Sequence, residues 1–287
     1  MPNRHIQAKT LLLAYIFSHY VPPLVSILLP VYNGSRYIRE TINSLLNQTY
    51  YDFELIIVDD CSTDNTAEIV ASFTDERIVY RRNEKNRRIV YTLNRALDIS
   101  KGSYCARIDA DDIALPTRLE EQVNFLENRR EYAMVDTVQD CINEKGERID
   151  RYNSNVTDEA EIVQTMPKTN CLGHPSVMIR SEVLKKYRYR NIVYEDYDLW
   201  LRMLNDGLRI YKMEKPLTLF RVHSFSLTGT AHASNKHFIN IGDTKKFYIR
   251  GLSSKEKLKA FNIKVWLWMQ IDYTTAYYKK FKSLIKS

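Results

Sequence analysis

Apolar residues follow two rhythms along this chain. Short continuous runs rich in Val, Ile and Leu alternate with longer segments whose apolar positions recur every three or four residues. The first run, LVSILLPVYN from Leu24, is closed by Pro30 and the turn residues Asn33-Gly34 and predicts a buried strand. In SRYIRETINSLLNQT, residues Tyr37, Ile38, Thr41, Ile42, Leu45 and Leu46 share one helical face, with Ser35 placed to cap it. FELIIVDD predicts a second strand, STDNTAEIVASF a capped helix, and RIVYRR a third strand. IVYTLNRALDIS predicts a helix broken by Gly102, and SYCARIDADD a fourth strand. Strands alternating with helices of about 10–15 residues predict β-α-β units and a mostly parallel α/β sheet flanked by helices.

Beyond Asp112 the rhythm is less regular. PTRLEEQVNFLENR predicts a helix, and AMVDTVQDCINEKGERIDRY predicts strands around a turn at Lys145-Gly146. GHPSVMIRSEVLKKY reads as a strand then a helix, and YEDYDLWLRMLNDG as a helix stopped by Gly207. After Arg221 the pattern is helical, basic and aromatic. These boundaries divide the chain into a leader helix (1–23), a main domain (24–228, with halves 24–112 and 113–228) and a helical extension (229–287).

Composition narrows the function classes. Of 287 residues, 44% are hydrophobic and 27% charged, enough for a real core, and neither repeats nor low-complexity tracts are present. Cys61, Cys105, Cys141 and Cys171 lie far apart with no C-x-x-C pair, which suits reduced thiols better than disulfides or zinc. No window reaches the roughly 18 apolar residues needed to span a bilayer. TLLLAYIF near the N-terminus resembles the core of a signal peptide but lacks a small-x-small cleavage site, so it reads as a leading helix. The net charge of +7 is unevenly placed: residues 241–287 hold eleven Lys/Arg against three Asp/Glu, leaving the rest near neutral. A basic tail on a neutral body suits an acidic surface, or is simply a solvated face.

The acids carry the chemistry. In a parallel sheet, ligands sit beyond the C-terminal strand ends. Asp59-Asp60 follow the second strand, and Asp109, Asp111 and Asp112 follow the fourth, so these carboxylates fall along one edge. On a pleated strand end Asp109 and Asp111 would point to the same side and suit a hard divalent cation, Mn²⁺ or Mg²⁺. The alternative is a solvated acidic turn leading into the helix near Pro116.

With these motifs in order — PVYNG, VDDCSTDNT, KGSYCARIDADD, GHPSVMIR, YEDYDLWLRM and FRVHSFSLT — the chain resembles the inverting nucleotide-sugar glycosyltransferases of family 2, which have the GT-A fold. The resemblance runs from about Leu24 to Thr228. It implies that Pro30, Tyr32 and Asn33 line the nucleotide pocket, and that Asp60, with Asp59 close by, accepts from the N–H of a uracil or thymine ring. Arg88 would contact base or phosphate, and Asp109 the ribose or sugar. Asp111 would hold the metal, approached by His223. Asp196 would be the catalytic base, with Glu195 and His174 on the acceptor side. The residues leave rivals for three of these: Asp196, or Asp198 in its place, as a helix cap, His174 as a core histidine, and His223 as a surface histidine. At Asp196 a helix dipole would lower the pKa and a closed pocket would raise it.

The resemblance further implies a UDP- or dTDP-sugar donor and a glycan or lipid-linked acceptor, with no nucleic acid as partner, in cell-surface polysaccharide synthesis. The Q-x-x-R-W signature of processive members is absent from the sequence, which favours single addition. EKNRRIVYTLN also lacks the glycine often found before this helix. In residues 241–287, lysines interleave with Trp266, Trp268, Tyr273, Tyr277, Tyr278 and Phe281. That suits a cytoplasmic enzyme with this helix lying on the anionic inner face of the cell membrane, or a helix packing its aromatics on the domain. Three other classes share parts of the pattern: a haloacid-dehalogenase-like phosphatase using D-x-D, a metal-dependent adhesion module using DCSTD, and a sugar nucleotidylyltransferase of similar fold. The first lacks small residues after Asp111, the second has Asp64 in place of its last Ser, and PVYNGSRY has a single Gly where the third opens on a Gly-rich loop.

Overall fold

The structure, a computed structural model, describes residues 24–152, 156–223 and 236–286. The expected leader helix and the boundary at 228/229 lie outside the described residues.

Strands β1 (Val25–Val31), β2 (Phe53–Asp59), β3 (Ile78–Arg82) and β4 (Tyr104–Arg107) form a parallel block in the order β3-β2-β1-β4. Between them run α1 (Ile38–Leu46), α2 (Thr66–Ala71) and α3 (Arg88–Ile99). The same sheet continues past β4 through β8 (Met178–Arg180), β6 (Tyr132–Ile142), β9 (Arg209–Arg221) and β5 (Ile113–Ala114), with β7 (Arg148–Tyr152) on β6. Here β4–β8, β8–β6, β6–β7 and β9–β5 are antiparallel and β6–β9 is parallel, so the sheet is α/β but mixed. Parallel order holds through β1–β4, where β-α-β units repeat; beyond β4 the β6–β9 pair is parallel and the other pairs among the described residues are antiparallel.

Both sheet faces are covered, which is why β1 is buried at every position. Val25, Ile27 and Leu29 face one core with Ile42 and Leu45 of α1 and with Leu119 and Val123 of α4 (Arg118–Asn128). Leu28 points the other way, with Ile56 and Val58, against Leu93 and Leu97 of α3 and Leu199 and Trp200 of a later helix, Glu195–Asn205. Before it come α5 (Glu159–Thr165) and α6 (Ser181–Tyr187), so this helix is α7. The chain continues as α8 (Lys236–Arg250), α9 (Ser254–Lys257) and α10 (Ala260–Lys286).

Three local expectations are corrected. Ser35 does not cap α1: its N–H donates to Asp64 Oδ2 at 2.9 Å, and the helix begins at Ile38 behind Tyr37. The fourth strand stops at Arg107, so Asp109, Asp111 and Asp112 sit in the following turn rather than on a pleat. The long strand β9 has no counterpart in the sequence reading, because its inward positions include Lys212 and Arg221, and Pro216 interrupts it. The basic extension docks on the main domain. Val265 and Met269 of α10 face inward, and Lys245 Nζ of α8 is buried 2.6 Å from Asp272 of α10 and 2.9 Å from the Lys168 carbonyl.

Candidate active site

The β1 and β2 ends are stapled together by loop side chains. Asn33 N–H donates to Ser62 Oγ, Thr63 N–H to Asn33 Oδ1, and Gly34 N–H to Thr66 Oγ1, each within 2.9 Å. Asp64 accepts from Ser35 and Thr66, so the acids of DCSTD are engaged in the loop's own structure. Pro30 is buried within β1, and Tyr32 beyond it is half exposed. Asp59 is fully buried and accepts from Ser62 N–H and Tyr80 Oη, both at 2.8 Å. Asp60 accepts from Asn83 Nδ2 (2.6 Å) and from the N–H groups of Arg87 (2.8 Å) and Arg88 (2.7 Å), fixing the start of α3. Arg88 itself takes φ +66°, a left-handed conformation costly for a side chain, where the glycine missing from EKNRRIVYTLN would sit at ease. Asn33 (φ +52°), Cys61 (+65°) and Tyr194 (+59°) are also left-handed; these three lie in loops and Arg88 opens α3, each at or beside a candidate site residue.

The turn after β4 brings Asp109, Asp111 and Asp112 together, each offering an oxygen within 4.8 Å of the others. Thr41 Oγ1 holds that turn by donating to the carbonyls of Ala110 (3.0 Å) and Asp112 (2.8 Å). Asp112 is buried; its Oδ1 accepts from Arg221 N–H at 2.8 Å, and its Oδ2 is buried with no protein partner. Burial first, then the charges of Asp111 and Asp109, push its carboxyl well above the usual range. His223 Nε2 lies 2.8 Å from Asp111 Oδ2, and its ring stands 5.3 Å from that of Tyr37. Three convergent carboxylates, one with an orphaned buried oxygen, plus an imidazole form a donor set that fits Mg²⁺ or Mn²⁺.

Two arginines frame the cluster, and sequence reading assigned neither a role. Arg107, buried at the end of β4, makes a bidentate pair with Asp109 at 2.5 Å. Arg221 donates Nε to the Asp111 carbonyl and Nη2 to Glu40, with Tyr37 packed 4.5 Å from its guanidinium. Both stand inside quoted motifs, CARIDADD and FRVHS; their partners are invisible in one dimension.

In the region expected to meet the acceptor, α7 starts at Glu195 behind left-handed Tyr194, and no side chain caps it. Asp198 is buried between Arg190 and Arg202, so it is no rival cap. Asn170, another residue the sequence did not flag, donates to Asp196 Oδ2 at 2.8 Å. Burial raises the Asp196 pKa above its ordinary value, outweighing the Tyr197 N–H, Arg107 and Asn170. The contest between dipole and pocket thus goes to burial. Glu195 is pushed up to about 8, by burial first and then by the charge of Asp196. His174 is buried behind it: Nδ1 lies 3.8 Å from Glu195 Oε1, and Nε2 is 3.0 Å from Tyr189 Oη. Burial, then Arg107, holds its imidazole well below the usual pKa, hence neutral.

Against known families, the profile described as "Glycosyl transferase family 2" matches residues 26–188, more than half of the chain. The chain belongs to glycosyl transferase family 2. This glycosyltransferase is 36% identical over 219 residues to the O-antigen biosynthesis glycosyltransferase WbnJ of Escherichia coli, covering 73% of this chain and 84% of that one. It is 31% identical over 218 residues to the E. coli UDP-Glc:alpha-D-GlcNAc-diphosphoundecaprenol beta-1,3-glucosyltransferase WfaP, covering 71% and 80%. Relatives of this glycosyltransferase therefore act in polysaccharide biosynthesis. Among solved structures, Staphylococcus aureus TarS 1–349 with UDP-GlcNAc superposes with a TM-score of 0.69 at 19% identity, covering 88% of this chain and 72% of that one. The mannosyltransferase PcManGT of Pyrobaculum calidifontis, with GDP-Man and Mn²⁺, superposes at 0.61 and 17% identity, covering 95% and 82%. At these identities the likeness shows the shared GT-A fold. Family membership leaves the phosphatase and adhesion readings without support.

Proposed function

We propose that this enzyme transfers a sugar, with inversion and one residue at a time, from a UDP- or dTDP-sugar to a hydroxyl of a glycan or lipid-linked acceptor. The step belongs to cell-surface polysaccharide assembly, in the cytoplasm against the inner membrane face. The observation that carries this reading is the convergence of Asp109, Asp111 and Asp112, with the orphaned Asp112 Oδ2, near enough to Asp196 for the charges of Asp109 and Asp196 to act on one another. WfaP, whose name specifies UDP-Glc and a diphosphoundecaprenol acceptor, supports both donor and acceptor class.

In this reading Tyr32 and Asn33 flank the nucleotide at the β1 end, and Pro30 shapes the floor beneath them. Asp60 presents the free capacity of Oδ2 to the base N–H, with Asp59 holding the loop, and Arg88 meets base or phosphate. Asp109, oriented by Arg107, takes the ribose or sugar hydroxyls. Asp111 and His223 would hold Mg²⁺ or Mn²⁺, with Asp112 behind them, and that ion would neutralise charge on the departing diphosphate. Asp196 removes the acceptor proton, its raised pKa making it a stronger base than an exposed aspartate. Glu195 and neutral His174 form the wall behind it.

Calorimetry with UDP, dTDP and GDP in the presence of Mn²⁺ tests the reading. Binding of UDP or dTDP is expected, weakened at least ~10-fold in Asp111→Ala. Asp196→Asn is expected to keep that binding and lose roughly 100-fold or more in turnover. Failure of all three nucleotides to bind with metal present overturns the proposal.

A further inference from the structure

Helix α10 has two apolar faces, and the domain covers one. Asn262, Val265, Met269, Asp272 and Ala276 recur at helical spacing and are buried against α8 and the main domain. Asn262 bonds Asn205 and Tyr248, and Asp272 bonds Lys245, so this inner face is specific and its polar groups are paired. On the opposite side Ile263, Trp266, Leu267, Ile271, Tyr277 and Tyr278 are each 43–73% exposed. They form one stripe about 22 Å long, from Ile263 to Tyr278 at 1.5 Å per residue. Exposed Gln270 and Thr274 share this face, yet six large apolar or aromatic side chains on one side of a helix are more than scattered exposed residues account for and mark a contact surface.

We propose that this outward face of α10 docks on an anionic lipid bilayer, lying in the headgroup plane. Charge decides the occupant. Residues 241–287 carry eleven Lys/Arg against three Asp/Glu, and Lys264 is exposed beside Ile263 at the N-terminal end of the stripe. Two copies meeting through this segment would bring like charges together, whereas acidic headgroups complement it. Trp266, Tyr277 and Tyr278 add amphipathic rings of the kind that favour the interface. No helix among the described residues is long and apolar enough to cross a membrane, so the helix lies on the surface rather than spanning.

The placement suits an acceptor carried on lipid. Thr244 of α8 donates to the Val193 carbonyl, next to Tyr194 and the Glu195-Asp196 pair. Lys245 holds the Lys168 carbonyl, two residues before Asn170, the donor to Asp196. The helix pair that would touch the membrane is thus the one that braces the acceptor-side carboxylate. This use rests on the proposed transfer to a lipid-linked hydroxyl; the docking contact itself does not.

Flotation of the full chain with vesicles tests it, without donor or acceptor, so failure here leaves nucleotide binding standing. Flotation is expected with phosphatidylcholine–phosphatidylglycerol vesicles, weakened by salt, and at least ~10-fold less with phosphatidylcholine alone. Leu267→Glu with Ile271→Glu, both outward, is expected to abolish flotation while leaving Tm and Mn²⁺-dependent UDP binding unchanged. Lys264→Glu should weaken binding to the anionic vesicles only. Equal flotation of the double variant overturns the proposal, as does a solution dimer that the double variant dissolves while wild type ignores vesicles.

Discussion

Glu195 holds a proton at neutral pH because burial and the adjacent Asp196 raise its carboxyl to about 8 from an ordinary 4.5. Between those values the folded chain keeps a proton that the unfolded chain releases, so stability falls as pH rises across that window. Glu195→Gln removes this penalty. The variant is expected to melt several degrees above wild type at pH 8, with the gap closing towards pH 4.5. A constant gap across that range, followed by calorimetry, would show that the carboxyl does not titrate there. The acids themselves were legible as residues, since paired carboxylates after apolar runs are few. What brings them together was not. Alternation along a strand suggested that Asp109 and Asp111 share a face, yet a turn braced by Thr41 and Arg221 makes the cluster, and its partners lie up to 112 residues away.

Elements were readable where burial is apolar. β1, β2 and the first three helices announce themselves because both sheet faces are filled with Val, Ile and Leu. β9 is silent because Lys212 and Arg221 occupy core positions, paired with Asp136 at 3.4 Å and with Glu40 at 2.5 Å. Periodicity counts charge as exposure, and here the pairing is with residues that only the fold brings near. Gly102, read as a helix breaker, has a second duty at the β1–β4 seam. A Cβ there would lie 2.6 Å from the Leu24 carbonyl oxygen and the Ser26 nitrogen, backbone atoms that cannot move aside. Gly102→Ala is expected to cost about 1–3 kcal/mol in urea unfolding, with the m-value unchanged.

At the scale of the molecule, the extension is part of the folded body rather than a tail. Its two competing sequence readings each describe one face of α10, since the helix packs Val265 and Met269 inward and leaves Trp266 and Leu267 outside. One-dimensional patterning could not separate them because aromatic and basic residues occur all around the helix. The buried Lys245–Asp272 pair gives a test of this docking. Lys245→Ala leaves Asp272 buried without its partner and should cost about 3–5 kcal/mol, whereas Lys245→Met with Asp272→Leu should cost far less. Matching losses in both variants, measured by thermal melting, would count against a docked extension.

The hold of α8 on the Val193 and Lys168 carbonyls has a consequence for recombination. The family profile ends at residue 188, seven residues before Glu195, so it contains Lys168 and Asn170 but neither their partner Asp196 nor α8. Under the proposed function, the block that must be exchanged intact begins before Lys168 and runs through α10. Chimeras joined inside that block, between α7 and α8, are expected to misplace Asn170 and Asp196 even when each parent is active. Exchange of the whole block keeps Asn170 and Asp196 in register and, under the proposed function, is expected to carry the parent's acceptor preference with it.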